Sequence, residues 1–542
     1  MSQVQTKNKI YKSPMQKLVK FFEQSRDQWK AKCLEAKALV RQLKNKVNQL
    51  ETSRTLWKNK VVALKAELAE RDKKEHDLQV QLEELKKKEA ALIKSQSKVE
   101  IESFNTTPSR HTYSLGYIML FLEFVLKGSV SLRGASRCLE IINSFFQLLG
   151  PTPSYYSGRM WLIRLGYYKL TRAKEHALDW IWIIDHTIQI GHIKCLVIFG
   201  IRLCNLPQPG CCLKHEDMEP ITLLPVTKSN GQVVYEQLEE TIKKTGVPIE
   251  IVGDHASDLK TGIDEFCQVH PNTCHIYDIK HKGAAILKRE LKHDELWEEF
   301  TKLATQTKNQ LQQTPLAFLA PRKQKTKARY MNVNELTKWG RNILNFLEEQ
   351  EQNPNPKFDH TKITEKLGWI TQFQTSLTQW EELFYVVTIT EDFVRTQGIY
   401  YNCMVDLSFL LPFDSVRCQT NRVIDELLDF VSQESKKCQS SSRRLLGSSE
   451  VLESAFGKQK NLERQQSQSG FTDLMLAIAA MVSITTDKVV QAALETVSTA
   501  DVIRWYKETF GPSVQVQRNE FLPANKNKEE KRDQSNTQAI PT

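Results

Sequence analysis

Two short apolar runs each carry an aspartate at or near their end. They are Trp180-Ile181-Trp182-Ile183-Ile184-Asp185-His186-Thr187 and Pro248-Ile249-Glu250-Ile251-Val252-Gly253-Asp254-His255. A carboxylate delivered by a buried strand is a rigid oxygen donor, and two of them suit a hard divalent cation. The histidines that follow, His186 and His255, point to the opposite face if the runs are strands, because side chains alternate. A plainer role is also open: an aspartate at a strand end often caps the next helix, and Asp258 is placed to cap the one after Asp254.

The segments around these runs must position the two acids. His192 to Leu203 reads as a second strand and Pro220 to Val226 as a third. Val234 to Lys244 has helical spacing and stops at Gly246. Cys274 to Ile279 is another short strand. The order is strand-strand-strand-helix-strand-helix-strand, with aspartates in the first strand and at the end of the fourth. That order resembles the ribonuclease H-like fold of DDE transposases and retroviral integrases.

The resemblance implies an α/β catalytic core and a third acid, a glutamate on a later helix. The stretch Gly447-Ser448-Ser449-Glu450-Val451-Leu452-Glu453-Ser454-Ala455-Phe456-Gly457-Lys458-Gln459-Lys460 supplies one. Ser448 or Ser449 caps a helix start, which puts Glu453 in the first turns. Lys460 follows two turns along the same face. This spacing is similar to that of bacterial insertion-sequence transposases, whose lysine holds DNA phosphate; Lys458 lies beside it. Leu446 and Ser449 stand where one large transposase family has tyrosine and arginine. Glu450, one turn earlier, and Asp278, at another strand end, are the rival third acids.

By this resemblance Asp185, Asp254 and Glu453 together hold two Mg²⁺ or Mn²⁺ ions, about 4 Å apart, for in-line displacement at phosphorus. The implied activity is metal-dependent cleavage and transfer of DNA strands at element ends. The implied partners are terminal inverted repeats, target DNA and further copies of the chain. Another two-metal nuclease, such as a junction resolvase, and a catalytically inactive domesticated DNA-binding protein are the alternatives.

Composition is consistent with this class. The chain has 542 residues, enough for three or four units at roughly 150 residues each. Hydrophobic residues make up 40%, sufficient for a core in part of the chain. The net charge of +11 favours nucleic acid electrostatically. The 11 cysteines form no C-x-x-C pair, which argues for a reducing compartment and against a disulfide framework. Cys267, His270, Cys274 and His275 form the one cluster that suggests zinc, at a spacing that fits no common finger. Met1 to Lys20 is polar, with no secretory signal, so a cytoplasmic protein is expected, nucleoid-associated when on DNA. Tyr117 to Leu126 is too short to span a bilayer.

Along the chain, residues 1–98 are expected to form a coiled coil. Val19, Phe22, Trp29, Val40, Leu43, Val47, Leu50, Trp57, Val61, Leu64 and Leu68 recur at four-three spacing from Met15. Residues 111–174 resemble a helix-turn-helix, with Ser154 capping a last helix that ends at Gly166. Arg159 and Arg164 on that helix are the expected DNA contacts. Residues 175–290 and 441–512 form the two parts of the ribonuclease H-like core. Residues 291–440 form a helical insertion with a basic loop at 321–329. Residues 471–483 read as an apolar helix behind the Glu453 helix, and 513–542 as a polar tail.

Overall fold

The computed structural model describes residues 14, 17–34, 37, 40, 44, 58, 106–146, 151–188, 191, 193–207, 211–322, 334–356, 358–412, 416–438, 443–465 and 470–521. The chain divides into two compact units, Met1–Ile101 and Glu102–Thr542. In the first, residues 17–34 are helical (α1), with the seam residues Val19, Phe22 and Trp29 exposed. Most of the expected coiled coil lies outside the described residues. No helix among the described residues is long and apolar enough to cross a membrane.

The second unit is built on a five-stranded sheet. Its strands are β1 (Trp180–Ile188), β2 (Lys194–Arg202), β3 (Glu219–Val226), β4 (Glu250–Gly253) and β5 (Cys274–Tyr277), in the order β3-β2-β1-β4-β5. β1, β2 and β3 pair antiparallel, whereas β1, β4 and β5 run parallel. This topology is compatible with a ribonuclease H-like core. The parallel strands need crossovers, and helices supply them. α5 (Gly231–Thr245) links β3 to β4, and α6 (Ser257–Val269) links β4 to β5. Asn230 caps α5 through its side chain, and Gly246 ends it at φ +88°, a left-handed conformation that glycine adopts without a Cβ penalty.

Alternation along the strands sorts two cores. Trp182, Ile184, Leu196, Ile198 and Ile251 pack with Val234, Leu238, Leu259, Ile263 and Phe266 of α5 and α6. Ile181, Ile183, Val197, Phe199, Val252 and Ile276 face the other way, into the large core. A strand's parity therefore decides which side chains meet which helices.

On that second face lie α2 (Leu115–Leu126), α3 (Leu132–Phe146) and α4 (Tyr155–Thr171). They belong to the same compact unit as the sheet and are not a separate body. Ser154 caps α4 by accepting from the Ser157 N–H at 3.2 Å, as expected. The helix does not end at Gly166 but runs five residues on, to Thr171. Gly166 sits where a Cβ would run into the Leu476 carbonyl, so its role is close packing of α4 on the later helix α15 (Leu476–Met481). Lys169, fully buried on α4, staples the chain that leaves α15. Its ammonium donates to the carbonyls of Ala480, Val482 and Ser483 and to Thr485 Oγ1 at 2.7–3.2 Å. Burial pushes this lysine down to about 7.

α7 (Ile279–Leu291) follows β5. The insertion then forms α8 (Glu295–Leu311), α9 (Asn334–Gln352), α10 (His360–Leu367), α11 (Gln374–Gln397), α12 (Cys403–Ser408) and α13 (Cys418–Ser435). Trp297, Phe300, Phe373, Trp380 and Phe384 make its aromatic core. The region is helical, and residues 323–329 of its basic loop lie outside the described residues. α11, buried around most of its circumference, packs on α7.

Three contacts place the returning chain, one of them on the sheet at β4. Ile399 bridges to Leu445, Leu446 N–H donates to Glu250 Oε1 at 2.7 Å, and Ile279 N–H donates to the Gly447 carbonyl at 2.9 Å. α14 (Glu450–Arg464) starts there. The expected apolar helix at 471–483 is shorter, as α15, and wholly buried. α16 (Asp487–Thr496), α17 (Thr499–Phe510) and α18 (Val514–Phe521) end the described chain.

Candidate functional site

Parallel register brings the two aspartates together. Ile183 of β1 pairs with Val252 of β4, and Asp185 and Asp254 each lie two residues further on. Both therefore share the face of Ile183 and Val252, at the carboxyl end of β4. Gly253 pairs with Tyr277, which places Asp278 as the next acid along the same edge. Carboxyl ends of parallel strands are where α/β folds place ligands.

Asp278 is wholly buried, and its two oxygens are both taken. Oδ1 accepts the His281 N–H at 2.8 Å and caps α7; Oδ2 accepts the Ser449 N–H at 2.5 Å at the start of α14. One carboxylate thus fixes the origins of two helices. Asp278 is a positioning residue for the side chains that those helices carry.

Those side chains are Lys280, His281 and Glu453. Lys280 Nζ donates to Glu453 Oε2 at 3.2 Å. His281 Nε2 stands 3.3 Å from Glu453 Oε1, and its Nδ1 stands 3.9 Å from Asp254 Oδ2. The contact at Oε1 is an ion pair without hydrogen-bond geometry, so that buried oxygen has no hydrogen-bond donor.

The electrostatics follow from this crowding. Burial, and next the charge of Asp254, push the Asp185 carboxyl up to about 7, despite a 2.6 Å hydrogen bond from the His186 N–H. Burial works against a charge on His281. The neighbouring carboxylates of Glu453, Asp278 and Asp254 outweigh it and push the imidazole up to about 9. Burial would raise Glu453, but His281 and Lys280 outweigh it and hold the carboxyl below its usual range. The positive charge among the acids is therefore the protein's own. As placed, no three His, Cys, Asp or Glu side chains among the described residues form a ready-made metal cage.

Glu450 points elsewhere: it is exposed, 3.7 Å from Arg395 Nε. Lys458 Nζ lies 3.3 Å from His215 Nδ1, and Lys460 Nζ lies 5.7 Å from the Phe456 ring centroid. Sequence reading missed Lys280 and His281, and also Glu391. That residue is half-buried on α11, where desolvation pushes its carboxyl up to about 8. The one signal was Asp278 itself: a capping aspartate after a strand puts the second and third residues of the next helix at the strand end.

His186 lies on the opposite face, as alternation requires, with Nδ1 3.8 Å from Asp258 Oδ2. Asp258 does not cap α6, which Ala256 precedes; it pairs with Lys194 at 3.3 Å. Arg159 and Arg164 both have partners within the chain. Arg159 is bonded to Asp473, and Arg164 donates to the Leu494 and Val497 carbonyls and stands beside His111. These guanidiniums hold α4 against the C-terminal helices. Of the four residues that suggested zinc, His270 pairs with Glu239 at 2.7 Å, and the Cys274 thiol donates to the Ile249 carbonyl.

No protein-family model matches the chain, and no curated protein matches it by sequence. Among solved structures it is similar to the Drosophila P element transposase strand transfer complex. The identity is 11% and the TM-score 0.35, over 75% of this chain and 99% of that one.

Proposed function

We propose that this chain is a DNA transposase of the DDE type, cutting and joining strands at Asp185, Asp254 and Glu453. The observation that carries the reading is the gathering of those three carboxylates at one edge of a sheet of this topology. The donor set fits a hard cation: it is all oxygen, Glu453 Oε1 is buried with no hydrogen bond, and burial together with the charge of Asp254 raises Asp185. Asp185, Asp254 and Glu453 would hold two Mg²⁺ or Mn²⁺ ions, which when bound supply activation of the attacking hydroxyl and stabilisation of the leaving oxygen.

The chain's own residues do the rest. Asp278 holds the α7 and α14 origins, so that Glu453 reaches the aspartates from a helix. Lys280 and His281 set two cations beside the acids, where they draw the negative charge of a scissile phosphate. Lys458 and Lys460, further along α14, offer phosphate contacts away from the reacting centre. The net charge of +11 favours DNA as the partner. Residues 1–98 would pair subunits so that two DNA ends are held together.

The test is strand nicking and strand transfer in Mg²⁺ or Mn²⁺, on DNA taken from either side of the gene. Asp185→Asn and Asp254→Asn should each lose at least about a thousandfold in rate with DNA binding intact. Glu453→Gln should be inactive and Glu450→Gln active. Near wild-type cleavage by either aspartate variant would sink the assignment. A wild-type chain that binds the DNA and never cuts it would instead mark a binding protein.

A further inference from the structure

A cavity of about 440 Å³ is lined by His255, the residue after Asp254, together with His275, Cys274, Lys260, Asp264 and Lys437. Two imidazoles inside it are held in place by the protein. The His255 ring lies flat on Tyr277, with centroids 3.6 Å apart and planes 5° from parallel. His275 is 8% exposed and its Nδ1 lies 2.9 Å from Asp264 Oδ1. The carboxylate accepts, so Nδ1 carries the proton and Nε2 keeps its lone pair. That Nε2 is buried and has no hydrogen-bond partner. A carboxylate holding one nitrogen of a histidine while the other is free is the arrangement that orients metal-ligating imidazoles.

The spacing agrees. Two imidazoles on one tetrahedral ion, with metal–nitrogen bonds of about 2.0–2.1 Å, stand with ring centroids about 5 Å apart. The rings of His255 and His275 stand 5.2 Å apart, at 58°. A phosphate fits the cavity less well, because its lysines are already neutralised: Lys260 by Asp264, and Lys437 by Glu434 at 2.7 Å.

We propose that His255 and His275 form a site for a borderline transition-metal ion of the Zn²⁺ type, with Asp264 orienting His275 and the remaining positions open to the cavity. It is separate from the carboxylate cluster. Imidazole nitrogen selects zinc, nickel or copper, whereas the acids select magnesium or manganese. An ion there ties the loop after β4, which carries Asp254, to β5.

The experiment is calorimetric titration of the full chain with Zn²⁺ in excess Mg²⁺, with folding of every variant checked by circular dichroism. Wild type should bind one more Zn²⁺ than His255→Gln; His255 is exposed, so this variant folds. Asp264→Asn should weaken that site roughly 10- to 100-fold. Asp185→Asn should leave it unchanged, which separates it from the proposed catalytic ions. A His255→Gln titration identical to wild type overturns the site. Wild-type affinity in Asp264→Asn overturns His275 as a ligand, and loss of the Zn²⁺ in Asp185→Asn assigns the ion to the acids instead.

Discussion

Replacing Asp278 by alanine should destabilise the second unit by an amount that its hydrogen bonds set. The carboxylate is wholly buried and accepts two backbone N–H groups, from His281 at 2.8 Å and from Ser449 at 2.5 Å. Neither donor has water to turn to once the acceptors are gone. A buried unsatisfied donor costs about 1–3 kcal/mol, so two cost on the order of 2–6 kcal/mol. Against a total stability of roughly 5–15 kcal/mol, that is a large fraction. Asp278→Asn keeps one acceptor oxygen and turns an amide NH₂ toward the other donor, so it should lose about half as much, ~1–3 kcal/mol. Urea denaturation of the full chain, followed by tryptophan fluorescence, measures both. The second readout is strand cleavage at low temperature, where the asparagine variant stays folded. It should fall, because the start of α14, and with it Glu453, is no longer pinned to α7. An alanine variant within about 0.5 kcal/mol of wild type would refute the energetic reasoning. A folded variant with full cleavage would show that Asp278 does not position Glu453.

Three further outcomes are expected. Glu250 is fully buried in β4, and burial pushes its carboxyl up to about 8. The unfolded carboxyl ionises near 4.3, roughly, so the folded state binds more protons above that pH and stability falls from there to about pH 8. Glu250→Gln should flatten that decline between pH 5 and 8, and an unchanged slope in urea titrations would count against it. Gly166→Ala should cost about 1–3 kcal/mol by forcing α4 from α15, read as a lower melting temperature. Arg159→Ala should lower the melting temperature and leave DNA affinity unchanged in a mobility-shift assay, since its guanidinium is bonded to Asp473; a large affinity loss with normal melting would restore it as a DNA contact.

The strand order and the facing of Asp185 and Asp254 were legible in the residues. Alternation of apolar side chains is a local property of an extended backbone, so Ile181, Ile183 and Asp185 must share a face wherever the strand goes. The cap of α4 at Ser154 and the stop of α5 at Gly246 were legible for the same reason: each depends on a few adjacent residues. α11 was not picked out by itself, because buried residues on several sides blur its helical period, and its Val386-Val387-Thr388-Ile389-Thr390 run is β-branched. The fates of Arg159 and Arg164 were hidden too, since nothing near them in the chain reveals that Asp473, Leu494 and Val497 will fold over α4. Glu453 could be nominated by its spacing, but only the fold decided that it, and not Glu450, meets Asp254 through His281. That choice rests on contacts between segments far apart in the chain: Glu250 with Leu446, and Asp278 with Ser449. Side-chain parity is determined by the bond geometry of neighbouring residues. Which distant helix lands on a strand end is determined by packing and by the demand that buried N–H groups find acceptors, and these act only once the chain is folded.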